Sequence, residues 1–248
     1  MNKFLLSLFF LLIGFTGLQA QLKSPDEFLG YPLGSRFTPH YQIIAYFNYL
    51  AATSQDVKVI NYGKTYENRD LLVAVISSPD NMRNLEQIRT NNLKLSRAEV
   101  GAKSEMQPAV LWLSYNVHGN EASSSETAMK LLYTLAEGSY GHIREWLKNT
   151  VVIIDPCLNP DGRERFVTFY TSVAGTKPDS NPAAREHNEP WPGGRTNHYY
   201  FDLNRDWAWQ TQIETQQRLV LYQQWMPEVH VDFHEQNYND PYYFAPAA

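Results

Sequence analysis

Ala109-Val110-Leu111-Trp112-Leu113-Ser114-Tyr115-Asn116-Val117 is a nearly continuous apolar run, and His118-Gly119-Asn120-Glu121 follows it directly. An apolar stretch without polar alternation is what a strand buried on both faces of a parallel sheet requires. After it, Ala128, Leu131, Leu132, Leu135 and Ala136 recur at helical spacing. Val151 to Ile154 reads as a second buried strand, and Val229, Val231 and Phe233, alternating with His230, Asp232 and His234, as a third central one. Trp209, Ile213, Val220 and Leu221 predict the helix before that strand. Towards the N-terminus, Val57 to Tyr62 and Leu71 to Ile76 flank a turn-like segment, Gly63-Lys64-Thr65-Tyr66-Glu67-Asn68-Arg69. Ile43, Ile44, Phe47, Leu50 and Ala51 share one helical face after the start signal Thr38-Pro39. The polar residues 80–107 suggest a helix and a surface loop, and the Pro-, Gly-, Asn- and Ser-rich residues 171–198 a long irregular excursion. Strands alternating with helices predict an α/β fold, a parallel sheet with helices on both faces. No internal repeat or domain boundary interrupts it.

Composition narrows the function. With 248 residues, 43% of them hydrophobic, the chain has enough apolar material for a large core, which excludes disorder over most of its length. A net charge of -5 argues against nucleic acid as a partner. The single cysteine, Cys157, excludes an intramolecular disulfide framework and a cysteine-cluster metal site, and its simplest role is that of a small buried residue. The 14% of aromatic residues suits a packed core, and equally a peptide- or sugar-binding cleft. Residues 1–20 have a secretory leader's layout: Lys3, an apolar stretch from Phe4 to Ile13, then the small Ala20. The stretch is short for a membrane span. The expectation is a signal peptide over 1–20, a mature domain over 21–248, no membrane attachment after cleavage, and secretion or export to the periplasm.

Ligands of open α/β sheets bind beyond the carboxyl ends of the strands. Three strands here end in reactive side chains: at His118 to Glu121, at Asp155 to Gly162, and at His234-Glu235. Two imidazoles and one carboxylate at such ends could hold one metal ion with a position left open. His-x-x-Glu alone is weak, since about 0.4 copies arise by chance in a chain of this composition. Indeed a second copy, His142 to Glu145, reads as an exposed helix face. Taken singly, His118 could equally be a hydrogen-bonded structural histidine. Arg195 to Asp206 adds a concentration of donors and acceptors, with two arginines able to fork onto a carboxylate, or to make surface ion pairs.

Together these segments resemble the zinc carboxypeptidases, or funnelins. The likeness rests on Gly63 to Arg69, His118-Gly119-Asn120-Glu121, Asn159-Pro160-Asp161-Gly162, Gly194-Arg195 with Phe201-Asp202-Leu203-Asn204-Arg205, and Val231-Asp232-Phe233-His234, in that order. It runs from about residue 39 onwards. It implies a three-layer α/β/α sandwich with a mixed, mostly parallel central sheet. His118, Glu121 and His234 match the ligands of a Zn2+ ion. Arg195 matches the arginine that stabilises the oxyanion, and Asn204 and Arg205 the pair that grips a peptide's terminal carboxylate. Asp202 matches the carboxylate that orients the first histidine, although a loop cap is its other reading. Asn159 to Gly162 shapes the pocket wall by turn chemistry. Glu235, adjacent to a ligand on a strand, points to the opposite face and is a poor catalytic base.

The resemblance implies a secreted metallocarboxypeptidase acting on peptides with a free C-terminal carboxylate. In the family the catalytic glutamate and a closing tyrosine lie well beyond the third ligand. Here 14 residues follow His234, which predicts a catalytic domain whose C-terminal part is missing. Such a chain would bind zinc without hydrolysing peptides at a normal rate. The other readings are a peptidoglycan stem-peptide or N-acyl amino acid amidohydrolase, a non-catalytic binding module of this fold, and a carbohydrate-binding or structural protein.

Overall fold

The computed structural model describes residues 21–100 and 107–236. The expected leader and part of the expected 80–107 loop lie outside these residues. The strands are β1 (Val57–Lys64), β2 (Asp70–Ile76), β3 (Ala109–Ser114), β4 (Thr150–Asp155) and β5 (Val229–Asp232), side by side in the order β1-β2-β4-β3-β5. β2 runs antiparallel to both neighbours, whereas β3 is parallel to β4 and to β5, so four of the five strands point one way. The sheet is therefore mixed and mostly parallel, where the alternation of elements alone suggested a parallel one. The reason is local: the segment after β1 is too short to cross over, and it reverses the chain into a hairpin. Thr65 and Arg69 close that turn by a 2.9 Å backbone bond, with Asn68 in the left-handed region.

Helices cover both faces. The eight are α1 (Pro25–Leu29), α2 (His40–Thr53), α3 (Pro79–Arg83), α4 (Leu85–Ser96), α5 (Ser123–Glu137), α6 (Ile143–Asn149), α7 (Pro160–Val173) and α8 (Ile213–Trp225) among the described residues. The pleat sends alternate side chains of one strand to opposite layers. Leu72, Ala74, Ile76, Val152 and Ile154 pack with Ile43, Phe47 and Leu50 of α2, Met129 and Leu132 of α5, and Leu147 of α6. Val73, Val75, Val151, Ile153, Val110 and Trp112 pack on the other side with Leu85 and Ile88 of α4 and Leu221 and Trp225 of α8. Each such fully buried aliphatic side chain is worth about 1.5–3 kcal/mol, so these two layers, rather than helix capping, hold the sheet.

Three details differ from the sequence reading. β3 stops at Ser114, because Asn116 takes a left-handed backbone (φ 56°) and turns the chain out of the sheet. α8 begins at Ile213: Trp209 precedes it and is exposed, and Val220 faces solvent while Leu219 and Leu221 face the core. β5, read as a central strand, borders the sheet among the described residues, with Val229 and Val231 exposed.

Candidate metal centre

The site forms where β3, β4 and β5 end. Past Ser114, the buried Asn116 organises the loop. Its amide nitrogen donates to the carbonyls of His118 (2.7 Å), Gly119 (3.2 Å) and Glu121 (3.1 Å). Its carbonyl oxygen accepts from Ser125 Oγ and from Arg163 Nη1, each at 3.0 Å. One side chain thus holds His118 and Glu121 in a fixed turn at the head of α5. Nothing in its place within an apolar run signalled that role.

Three glycines let the other motifs close in. A Cβ on Gly119 would stand 2.2 Å from both Arg163 N and Gly162 C, and one on Gly162 would stand 2.3 Å from Gly194 O. The backbones of the three motifs touch there, and any side chain would separate them. Asn159 caps α7 by accepting from Gly162 N (2.9 Å), and its amide donates to Arg195 O (3.1 Å). Asp161, buried, accepts from Thr65 Oγ1 and from Arg69 Nη1, each at 2.7 Å, which docks the Gly63 to Arg69 turn onto α7. Glu189, which the sequence reading passed over, ties the loops from the other side: it accepts from Asn120 Nδ2 (3.0 Å) and from Gly194 N.

His118, Glu121 and His234 meet. One ligand atom from each lies within 4.8 Å of the other two. His118 Nδ1 is 2.7 Å from Glu121 Oε1, and His234 Nδ1 is 3.0 Å from Glu121 Oε2. Both rings therefore turn the same nitrogen towards one carboxylate. Burial pushes the Glu121 carboxyl up, but the two facing imidazoles outweigh it, and its pKa falls below the ordinary value. Two imidazole nitrogens and a carboxylate oxygen form a donor set that fits tetrahedral zinc with one position open.

Asp202 stands behind His118, its Oδ1 accepting from Nε2 at 3.0 Å while Nδ1 faces Glu121. The same oxygen accepts from Asn204 N (3.0 Å), so the carboxylate also caps the short 3-10 turn Leu203–Arg205. One carboxylate oxygen thus serves the His118 ring and the turn together. Burial raises the Asp202 carboxyl, while His118 and Arg195 lower it further, for a net fall. Arg195 Nη2 donates to Asp202 Oδ2 (2.9 Å), and its Nη1 lies 3.4 Å from His118 Nδ1. Asn204 Nδ2 lies 3.4 Å from His234 Nε2. Arg205 is exposed, and its Nη1 donates to the neighbouring Asn204 carbonyl (3.2 Å), so it flanks the cluster without touching a ligand. Glu235 accepts from Ser124 N (2.9 Å) at the head of α5. The second His-x-x-Glu, His142 and Glu145, is a solvent-exposed pair.

The fold and this arrangement of motifs are those of a zinc peptidase, and the chain belongs to the zinc carboxypeptidase family, whose profile matches residues 43–230. The family implies zinc as its metal and peptide hydrolysis as its chemistry. The chain is 27% identical to carboxypeptidase Z of Mus musculus over 159 residues, which are 63% of this chain and 19% of that protein. Carboxypeptidase Z of Rattus norvegicus matches equally, at 27% over 159 residues. The matched region thus spans about a fifth of these relatives. Among solved structures, carboxypeptidase A from Helicoverpa armigera superposes with a TM-score of 0.55 at 16% identity, over 82% of this chain and 47% of the other. A metallo-carboxypeptidase from Burkholderia cenocepacia does so with 0.50 at 15%, over 79% and 40%. At these identities the likeness is one of fold. No helix among the described residues is long and apolar enough to cross a membrane.

Proposed function

We propose that this chain carries the metal centre and the carboxylate-recognition residues of a secreted zinc carboxypeptidase that removes the C-terminal residue of peptides. The observation that carries the reading is the convergence of His118 Nδ1, Glu121 and His234 Nδ1 on one point, with Asp202 behind the first ring. The apolar stretch of the leader supports export.

The chemistry that zinc supplies when bound is polarisation of the scissile carbonyl and acidification of a water molecule. Each residue of the chain has its own part. Asp202 keeps the proton of His118 on Nε2, which leaves Nδ1 as the ligand atom. Arg195, held by Asp202, aims a guanidinium at the position beside His118 where negative charge develops on the carbonyl oxygen, a contribution of about 3–4 kcal/mol in comparable sites. Asn204 and Arg205 present an amide and a planar fork to the free carboxylate of the last residue, which confines attack to the terminal peptide bond.

Two measurements test this. After exhaustive dialysis the protein should retain about one zinc per chain, as a three-ligand site does, and His118→Ala should retain none. The zinc-loaded protein should bind a peptide with a free C-terminal carboxylate more tightly than its C-terminal amide, and Arg205→Ala should erase that difference. Equal zinc in wild type and His118→Ala, or equal affinity for acid and amide, refutes the reading.

A further inference from the structure

His118 has Asp202 behind it; His234 needs a counterpart, and the sheet supplies one. Ser114 of β3 registers with Asp155 of β4 on one side and with Asp232 of β5 on the other. Partners across a ladder present their side chains on the same face. That face is the one covered by α8, since Ser114 Oγ accepts from Trp112 Nε1 (3.0 Å) and lies 3.1 Å from His230 Nε2. Asp155, Ser114 and Asp232 thus form a polar row at the strand ends. Asp232 Oδ2 lies 3.3 Å from Nε2 of His234, two residues further along the chain.

Opposite the row, α8 places Arg218, which is fully buried. Among the described residues its Nε, Nη1 and Nη2 have no direct hydrogen-bond partner, and Asp232 Oδ1, also buried, has none either. The guanidinium lies 3.7 Å from the centre of the Trp207 ring, and Asp155 and Asp232 are the acidic side chains of the row that act on it. A charge kept in the interior in this way acts through its field, which is strong where water is excluded.

We propose that Asp232, held in place beneath the buried Arg218, is the positioning residue of His234, so that each histidine of the metal centre has its own aspartate. The inference rests on the metal site proposed above. Tautomer chemistry supports it. With Nδ1 free for a metal, His234 carries its proton on Nε2, and only an acceptor can serve it there. The Asn204 amide nitrogen, 3.4 Å from the same atom, is a donor and cannot. Asp232 is the acceptor at hand.

The test is zinc affinity by chelator competition, with the absorption bands of the cobalt-substituted protein as the second readout, on the 248-residue protein and on Asp232→Asn, Asp232→Ala and Arg218→Met. Losing such an outer contact weakens metal binding about 10–100-fold. Asp232→Ala should fall in that range, and Asp232→Asn, which keeps an acceptor but not the charge, should fall less. Both should shift the cobalt bands, a change that mere loss of stability does not produce. Arg218→Met should weaken zinc in the same direction; if it does not fold, the Asp232 variants decide alone. Wild-type affinity and spectrum in both Asp232 variants overturns this inference and leaves the metal site standing. No zinc in the wild type overturns both.

Discussion

Replacing Arg163 by Met should unfold much of what holds the metal loop. Arg163 is fully buried and makes five hydrogen bonds: Nε and Nη2 to Thr38 O (3.1 and 2.8 Å), Nη1 to Asn116 Oδ1 (3.0 Å) and Ala122 O (2.7 Å), and Nη2 to Glu126 Oε1 (2.8 Å). Glu126 is buried as well, and its remaining bonds come from Thr38 N (2.6 Å) and Thr38 Oγ1 (2.7 Å). Methionine fills a comparable volume but strands the carboxylate, and stranding one member of a buried ion pair costs about 3–5 kcal/mol. For a chain of this size each kcal/mol lowers the melting temperature by about 2–4 °C, so the midpoint should fall roughly 6–20 °C. Zinc binding should weaken too, because Asn116 loses one of the donors that hold it over the His118 to Glu121 turn. The assay is urea and thermal unfolding of wild type, Arg163→Met, Glu126→Leu and the double variant. The double should cost less than the sum of the singles, because it removes both charges at once. A loss under about 1 kcal/mol for Arg163→Met, or strict additivity in the cycle, would refute the reasoning that this pair is a closed, mutually dependent unit.

Gly119→Ala and Gly162→Ala should each cost about 1–3 kcal/mol or more and lower zinc retention, since the added methyl meets backbone that cannot yield. Gly175→Ala, where the added methyl comes no closer than 3.4 Å to Lys177 O, should stay within about 0.5 kcal/mol of wild type, and equal behaviour of the three variants would sink the clamp. Acid should destabilise the fold through His40, whose burial pushes its pKa down from 6.5 to about 4. Between these values the unfolded chain takes up a proton that the folded one refuses, so stability falls as pH drops through this window, by up to about 3 kcal/mol, and the loss is complete below about pH 4. His40→Gln should flatten this slope in urea titrations, and identical slopes in both proteins would exclude the assignment. Burial holds the Cys157 thiol up at about 12, so iodoacetamide at pH 8 should label it only after unfolding; fast labelling of the folded protein would contradict that.

Periodicity made the sheet and its helices legible, because a strand covered on both faces needs an uninterrupted apolar run and an amphipathic helix a stripe. Val151 to Ile154 and Ala128 to Ala136 carry those patterns and lie where expected. Strand direction was less legible: the Gly63 to Arg69 segment makes β1 and β2 a hairpin, and its docking partner, Asp161, lies far along the chain. That β5 borders the sheet among the described residues was hidden too, since apolar and polar residues alternate whether or not a neighbour is present.

Within the site, side-chain chemistry at strand ends pointed by itself to His118, Glu121 and His234 as a possible metal set, and motif order to Asp202, Arg195, Asn204 and Arg205. Local chemistry could not point to Asn116, Glu189, Asp232 or Arg218. Asn116 sits inside an apolar run, and Arg218 on a helix among glutamines, each unremarkable in its neighbourhood. Their importance comes from what stands opposite them after folding: three carbonyls of a turn, and a row of carboxylates on adjacent strands. Sequence alone determined which groups could bind and which stretches would be buried, because those follow from residue type and short-range period. Only the tertiary structure decided which groups meet, because hydrogen bonds and charge pairs act over a few ångströms between residues far apart in the chain, 113 positions for Glu121 and His234.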